Sequence, residues 1–146
     1  MEESIKIPKG EEKMFFSLQG KDYSPLVLAY IGDAVYEVYV RSKLMEAGNL
    51  PVNKIHHAAT KYVSAEAQYL IYHSIKDMLT EEEEAVFKRG RNAKSATVPK
   101  NANPVHYRFA TGFEALVGFL YVNAMHERLC EILDNSFSRR KEEISG

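Results

Sequence analysis

The stretch Pro25–Val40, PLVLAYIGDAVYEVYV, decides the fold. Only Asp33 and Glu37 carry charge in its sixteen residues. A helix that is apolar on nearly every face is a buried helix, because no side of it suits water. Ser24 and Pro25 make a good start for it, an N-cap hydroxyl followed by a residue whose φ is pre-set for the first turn. At about 100° per residue, Asp33 shares its face with Leu26, Ala29, Tyr30, Glu37 and Val40. A carboxylate there is costly unless it binds a cation or finds hydrogen-bond donors. Gly32, just before it, costs roughly 1 kcal/mol relative to Ala in a helix interior. Two such violations side by side mark either a functional site or a buried Asp paired to a distant Arg or Lys, and this stretch alone leaves both open.

Outward from this helix, the chain reads as helix after helix. On the N-terminal side, residues 1–20 are expected to be a mobile arm broken by Pro8 and Gly10, with Met14, Phe15 and Phe16 available to dock on a domain spanning 21–146. On the C-terminal side the central helix continues through Arg41 and Leu44 to a stop at Gly48. A second helix follows Pro51, with Ile55, Ala58, Ala59 and Val63 on one side. Ser64, followed by Glu66 and Gln68, is a fresh N-cap, and Thr80 before Glu81–Glu84 is another, the acidic run suiting the positive end of a helix. Asn103 and Pro104 introduce VHYRFATGFEALVGFLYVNAM, apolar nearly all round, which is expected to pack as a second central helix against the first. A final amphipathic helix uses Leu129, Ile132 and Leu133 and gives way to the charged tail SRRKEEISG. With no alternating strand pattern and no internal repeat, the fold class is all-α.

Composition bounds the function. A chain of 146 residues with 45% apolar content is long enough for one domain with a real core. The net charge of −1 is uninformative as a total, so charge must be read locally. The single cysteine, Cys130, excludes an internal disulfide framework and a Cys-based zinc site, and its spacing is that of a small core hydrophobe. MEESIKIPKGEEK lacks the apolar core of a secretory signal, and no window approaches the ~20 apolar residues of a membrane span, so a cytoplasmic protein without membrane partners is expected. His56 and His57 diverge by about 100° on a helix and cannot share a metal, and His73, His106 and His126 show no metal spacing. There is no Gly-rich phosphate loop and no nucleophile elbow.

One segment departs from this background. KRGRNAKSATVPK, Lys88–Lys100, holds five basic residues and no acidic one, with Gly90 and Pro99 opposing regular structure. It reads as a basic loop running on from a helix end. Each of the two apolar helices carries a central carboxylate, Asp33 and Glu114. That set suits a hard cation such as Mg²⁺, which is held by one or two carboxylates plus waters and substrate phosphates. Arg89, Arg91, Lys94 and Lys100, with the hydroxyls of Ser95 and Thr97, would then contact nucleic-acid phosphates. A solvated loop that only keeps the protein soluble is the competing reading.

IGDAV, Ile31–Val35, resembles the signature helix of the ribonuclease III family, and FEALVGFLY, Phe113–Tyr121, resembles that family's second acidic helix. RGRNAKSATVPKN, Arg89–Asn101, and YIGDAVYEVYVR, Tyr30–Arg41, are similar to the short bacterial branch of the family, mini-ribonuclease III, which has no double-stranded-RNA-binding domain. The resemblance covers roughly residues 23–125.

It implies an all-helical endonuclease domain that dimerises through its signature helices and cuts double-stranded RNA with Mg²⁺, for which Mn²⁺ can substitute, leaving 5′-phosphate ends. It further implies trimming of large-subunit (23S) ribosomal RNA precursors, with a large-subunit ribosomal protein as a candidate partner. Asp33 and Glu114 match the family's metal-binding, catalytic aspartate and glutamate, and Tyr30 falls where an aromatic plugs into the partner subunit of the homodimer. Two departures stand out: Ala29 and Thr111 occupy positions where the full-length enzymes place carboxylates. They leave the number of bound metals open. They also keep a non-catalytic double-stranded-RNA-binding module as the alternative function. Glu37, one turn from Asp33, is read as either an outer-sphere group or a salt-bridge partner.

Overall fold

A computed structural model describes Leu18, residues 22–94 and residues 98–146. The described residues are all helical or irregular: α1 (Pro25–Met45), α2 (Val52–Val63), α3 (Ala65–Ile75), a short 3-10 turn (Lys76–Met78), α4 (Glu81–Asn92), α5 (Pro104–Val122) and α6 (His126–Ser145). The all-α expectation holds. Met14–Phe16, and most of the expected N-terminal arm, lie outside the described residues. Leu18, the described part of the arm, packs half-buried on Leu28, Ala29, Ala115 and Val122.

The helix starts are set by local chemistry. Ser24 accepts from the Val27 amide at 3.3 Å, with Pro25 in the first turn of α1. Ser64 accepts from the Ala67 amide at 3.1 Å. Thr80 and Glu83 form a reciprocal capping box at α4, and Asn103 accepts from the amides of Val105 and His106 at α5. Each satisfies amides that a helix N-terminus leaves without partners.

α5 is the hub. It contacts α1 most extensively, then α4 and α3, and Phe113, Ala115, Leu116, Val117, Gly118 and Leu120 are all buried in it. The core gathers around it: Tyr36 and Val40 from α1, Ile71 and Ile75 from α3, Ile132 and Leu133 from α6. Buried Glu83 receives Arg128 of α6 through both Nε and Nη2, at 2.8 Å each, and Arg128 also reaches the Met78 carbonyl. Glu83 therefore does more than the dipole role expected of the acidic run: it ties α4 to α6.

Several expectations are overturned. α1 is not buried all round. Leu28, Ala29, Gly32, Tyr36 and Val40 face the core, whereas Val27, Tyr30, Ala34 and Val38, at helical spacing on the opposite side, are exposed. Gly90 does not break structure. It lies buried inside α4, where a Cβ would stand 2.7 Å from that of Ala115, so it lets α4 close on α5. Lys88, Arg89 and Arg91 are consequently helical, and the irregular segment begins only at Ala93. The tail is helical to Ser145, because Arg139 and Arg140 cap the carbonyls of Ser74 and Lys61 and hold α6 against α3 and α2. Cys130 is exposed on α6, not part of the core.

Candidate active site

The site is made by a crossing of two backbones. A Cβ added to Gly32 would stand 1.8 Å from the Glu114 carbonyl oxygen, and one added to Gly118 would stand 1.9 Å from the Leu28 carbonyl oxygen. Only residues without a Cβ let α1 and α5 approach this closely. The local cost of a helical glycine, noted for Gly32 from the sequence, thus has a packing reason. The next residue, Asp33, is carried to the border between the buried and exposed sides of α1, where its carboxylate meets that of Glu114.

Glu114 is the more enclosed of the two; Asp33 is exposed in the single chain. Burial first, then the Asp33 charge, a hydrogen bond to Asp33 and, more weakly, the Glu37 charge together push the Glu114 carboxyl up to about 8, while the Gln68 hydrogen bond opposes the shift. No Arg or Lys is among the groups that act on Glu114, and neither Asp33 nor Glu114 forms an ion pair among the described residues. The alternative of a buried Asp paired to a distant cation is therefore not what the geometry holds. Glu37 pairs with Arg41 at 3.2 Å, the salt bridge that was one reading of it, and its charge acts weakly on Glu114.

Gln68 was missed as a site residue. Its place four residues after Ser64 reads as a polar early turn of α3, but it is only 2% exposed, and its Nε2 donates to the Val63 carbonyl at 3.0 Å and to Glu114 Oε2 at 3.1 Å. The one available signal was an amide surrounded in sequence by Ala67, Leu70 and Ile71.

The donor set fits a hard divalent cation. Two carboxylates in contact without a compensating positive side chain are the arrangement such an ion stabilises. Among the described residues no group of three or more His, Cys, Asp or Glu side chains is gathered for metal binding.

The basic residues do not form one patch. Arg89 and Arg91 are two positions apart on α4 and point in nearly opposite directions. Arg89 lines a cavity of about 440 Å³ with Asp22, Tyr23, Leu28 and Phe119, whereas Arg91 lies 5.8–5.9 Å over the rings of Phe109 and Phe87 and donates to Asn92. Lys94 and Lys100 are exposed in the irregular segment, and Ser95 and Thr97 lie outside the described residues. Tyr30 is 82% exposed, in the middle of the apolar side of α1.

The Ribonuclease III domain model matches residues 26–125, which include the crossing of α1 and α5. The chain belongs to the ribonuclease III family, a class of endoribonucleases. It is similar to the Mini-ribonuclease 3 of Symbiobacterium thermophilum, 52% identical over 109 residues that cover 75% of this chain and 84% of that protein. The Mini-ribonuclease 3 of Enterococcus faecalis is 49% identical over 116 residues, covering 78% and 88%. A crystal structure of a Fusobacterium nucleatum protein superposes with a TM-score of 0.72 at 31% identity, covering 81% of this chain and 94% of that one.

Proposed function

We propose that the protein is a Mg²⁺-dependent, homodimeric endoribonuclease that cleaves double-stranded RNA at Asp33 and Glu114. The observation that carries this reading is the contact between these two carboxylates with no cation partner among the described residues. Mg²⁺, or Mn²⁺ in its place, would activate water and stabilise the leaving oxygen of a phosphodiester. Asp33 and Glu114 would hold it, Gln68 donates to Glu114, and Glu37 adds to the negative field. Products carry 5′-phosphate ends.

Val27, Tyr30, Ala34 and Val38 supply an apolar stripe through which two copies pair, so that each protomer cuts one strand. A two-fold dimer suits a duplex whose strands are themselves related by two-fold symmetry. Arg89, Arg91, Lys94 and Lys100, with Ser95, contact phosphates, and recognition is mainly of A-form shape and 2′-hydroxyls. The similarity to Mini-ribonuclease 3 proteins supports a cytoplasmic role in maturing 23S ribosomal RNA precursor ends, with a large-subunit ribosomal protein as partner. Among the described residues no helix is long and apolar enough to cross a membrane.

The test is incubation of the purified protein with long duplex RNA, with single-stranded RNA and with duplex DNA, each in Mg²⁺ and in EDTA. Cutting confined to duplex RNA in Mg²⁺ is expected. Equal cutting in EDTA would remove the metal from the mechanism, and cutting of DNA would reassign the substrate.

A further inference from the structure

Among the described residues, Gln68 is the buried polar side chain whose bonding is incomplete. Its Nε2 uses both hydrogens, one on the Val63 carbonyl and one on Glu114 Oε2, whereas no donor among the described residues reaches its Oε1. Exchanging the amide's oxygen and nitrogen would not cure this, because the Val63 carbonyl can only accept and would then face another acceptor. A buried acceptor left without a donor is destabilising, which natural structures tolerate where the group has another task. Oε1 shares its carbon with Nε2 and is therefore held beside the Glu114 carboxylate, on the same α3 turn that Ser64 caps.

We propose that Gln68 is a positioning residue of the metal site: its Nε2 holds one oxygen of Glu114, and its Oε1 is an acceptor for the hydration shell of the divalent cation held by Asp33 and Glu114. An amide suits this place. It adds an oxygen without adding to the repulsion between two carboxylates already in contact. Partners of this kind fix the orientation of a ligating carboxylate, and their loss commonly costs about 10–100-fold in metal affinity. The assignment rests on the metal reading of Asp33 and Glu114, and the experiment separates the two.

The full chain is compared with Gln68→Leu, Gln68→Glu and Asp33→Asn. Three quantities are read: the Mg²⁺-induced rise in melting temperature as a function of Mg²⁺ concentration, Mn²⁺ binding by electron paramagnetic resonance, and duplex-RNA affinity in EDTA. Gln68→Leu is expected to raise the half-saturating metal concentration about tenfold and to leave RNA affinity in EDTA within about twofold, since the loop cations are untouched. Gln68→Glu keeps an oxygen at the Oε1 position, so it should hold metal at least as tightly as the parent while melting lower without it. A merely structural glutamine would lower the melting temperature in both variants without moving either half-saturation, and that result overturns the proposal. If Gln68→Leu does not fold, Gln68→Ala is read in its place, with the same rise in half-saturating metal expected and an unmoved half-saturation overturning the proposal. If the parent binds neither ion and Asp33→Asn changes nothing, the metal reading itself falls and takes this assignment with it.

Discussion

Gly32 and Gly118 meet across the α1–α5 crossing: a Cβ on Gly32 would stand 2.8 Å from the Gly118 amide nitrogen and 1.8 Å from the Glu114 carbonyl oxygen. The backbone that carries Asp33 is thus in contact with the helix that carries Glu114. The packing of the fold and the spacing of the site are one feature.

Gly32→Ala and Gly118→Ala should each force the helices apart, because the obstructing atoms are backbone and cannot rotate away. Overpacking typically costs about 1–3 kcal/mol, and these positions should fall at or beyond the upper end. Thermal unfolding measures the loss. In whatever fraction folds, cleavage should fall further than duplex-RNA affinity. A fully active, fully stable Gly32→Ala protein would show that the crossing is looser than described.

Asp33→Asn and Glu114→Gln should abolish cleavage and leave metal-free stability unchanged or higher, because each removes a repulsion that no positive side chain among the described residues compensates. Mg²⁺ stabilises only what it binds, so its thermal shift should shrink in both variants. Duplex-RNA binding should survive. Clear destabilisation of both variants without metal, with cleavage intact, would mean that the carboxylates are structural partners and would defeat the active-site assignment.

The pH dependence has a definite sign. Glu114 is pushed up to about 8 in the folded chain, above its ordinary carboxylate value. Between those two values the folded state holds a proton that the unfolded state has released. Metal-free stability contributed by this group is therefore complete at low pH and is lost as pH rises through about 8. Because metal and proton compete for the carboxylate, Mg²⁺ affinity should climb over the same window. Melting curves in EDTA from pH 5 to 9 should fall more steeply for the parent than for Glu114→Gln; parallel curves would contradict the shift.

Much of this was legible because caps are local: Ser24, Ser64, Thr80 and Asn103 each announce a helix start within three residues, and each start is where expected. Asp33 and Glu114 stood out because isolated charges in apolar helices are conspicuous. Gln68 did not, since a neutral amide early in a helix looks the same whether it faces water or a carboxylate. The exposed side of α1 was hidden for a different reason. An apolar surface left exposed and one directed at the core have the same composition, so Val27 and Val38 read as core, and Tyr30 was set apart only by the family resemblance. Gly90 and Gly112 also depended on tertiary contacts, with a Cβ at Gly112 falling 2.7 Å from the Phe87 ring and backbone.

Arg128 offers a control remote from the chemistry. Its guanidinium bonds the buried Glu83 twice and holds the Glu83 carboxyl below its usual range. Arg128→Met strands that carboxylate, and breaking a buried pair from one side costs on the order of 3 kcal/mol. The melting temperature should drop sharply at neutral pH, and the deficit should narrow in acid as Glu83 protonates. The half-saturating Mg²⁺ concentration should not move; if it did, α4 and α6 would be coupled to the metal site.

Tyr30 separates folding from assembly. At 82% exposure it contributes little to the core of the single chain, unlike Tyr36 on the opposite side of α1, which is buried and donates to the Tyr62 carbonyl at 2.7 Å. Tyr30→Ala should therefore preserve the helical fold while removing an aromatic anchor of the kind that can carry more than ~2 kcal/mol of association energy. A two-fold interface contains the residue twice, so the loss is felt twice per dimer. Sedimentation should show a monomer at concentrations where the parent is dimeric. Double-strand cutting should fall with it and return as protein concentration is raised. Tyr36→Phe makes the opposite comparison: it strands a buried carbonyl, costing about 1–3 kcal/mol of fold stability without altering assembly. If Tyr30→Ala stays dimeric at low concentration, the exposed stripe on α1 is not the subunit interface.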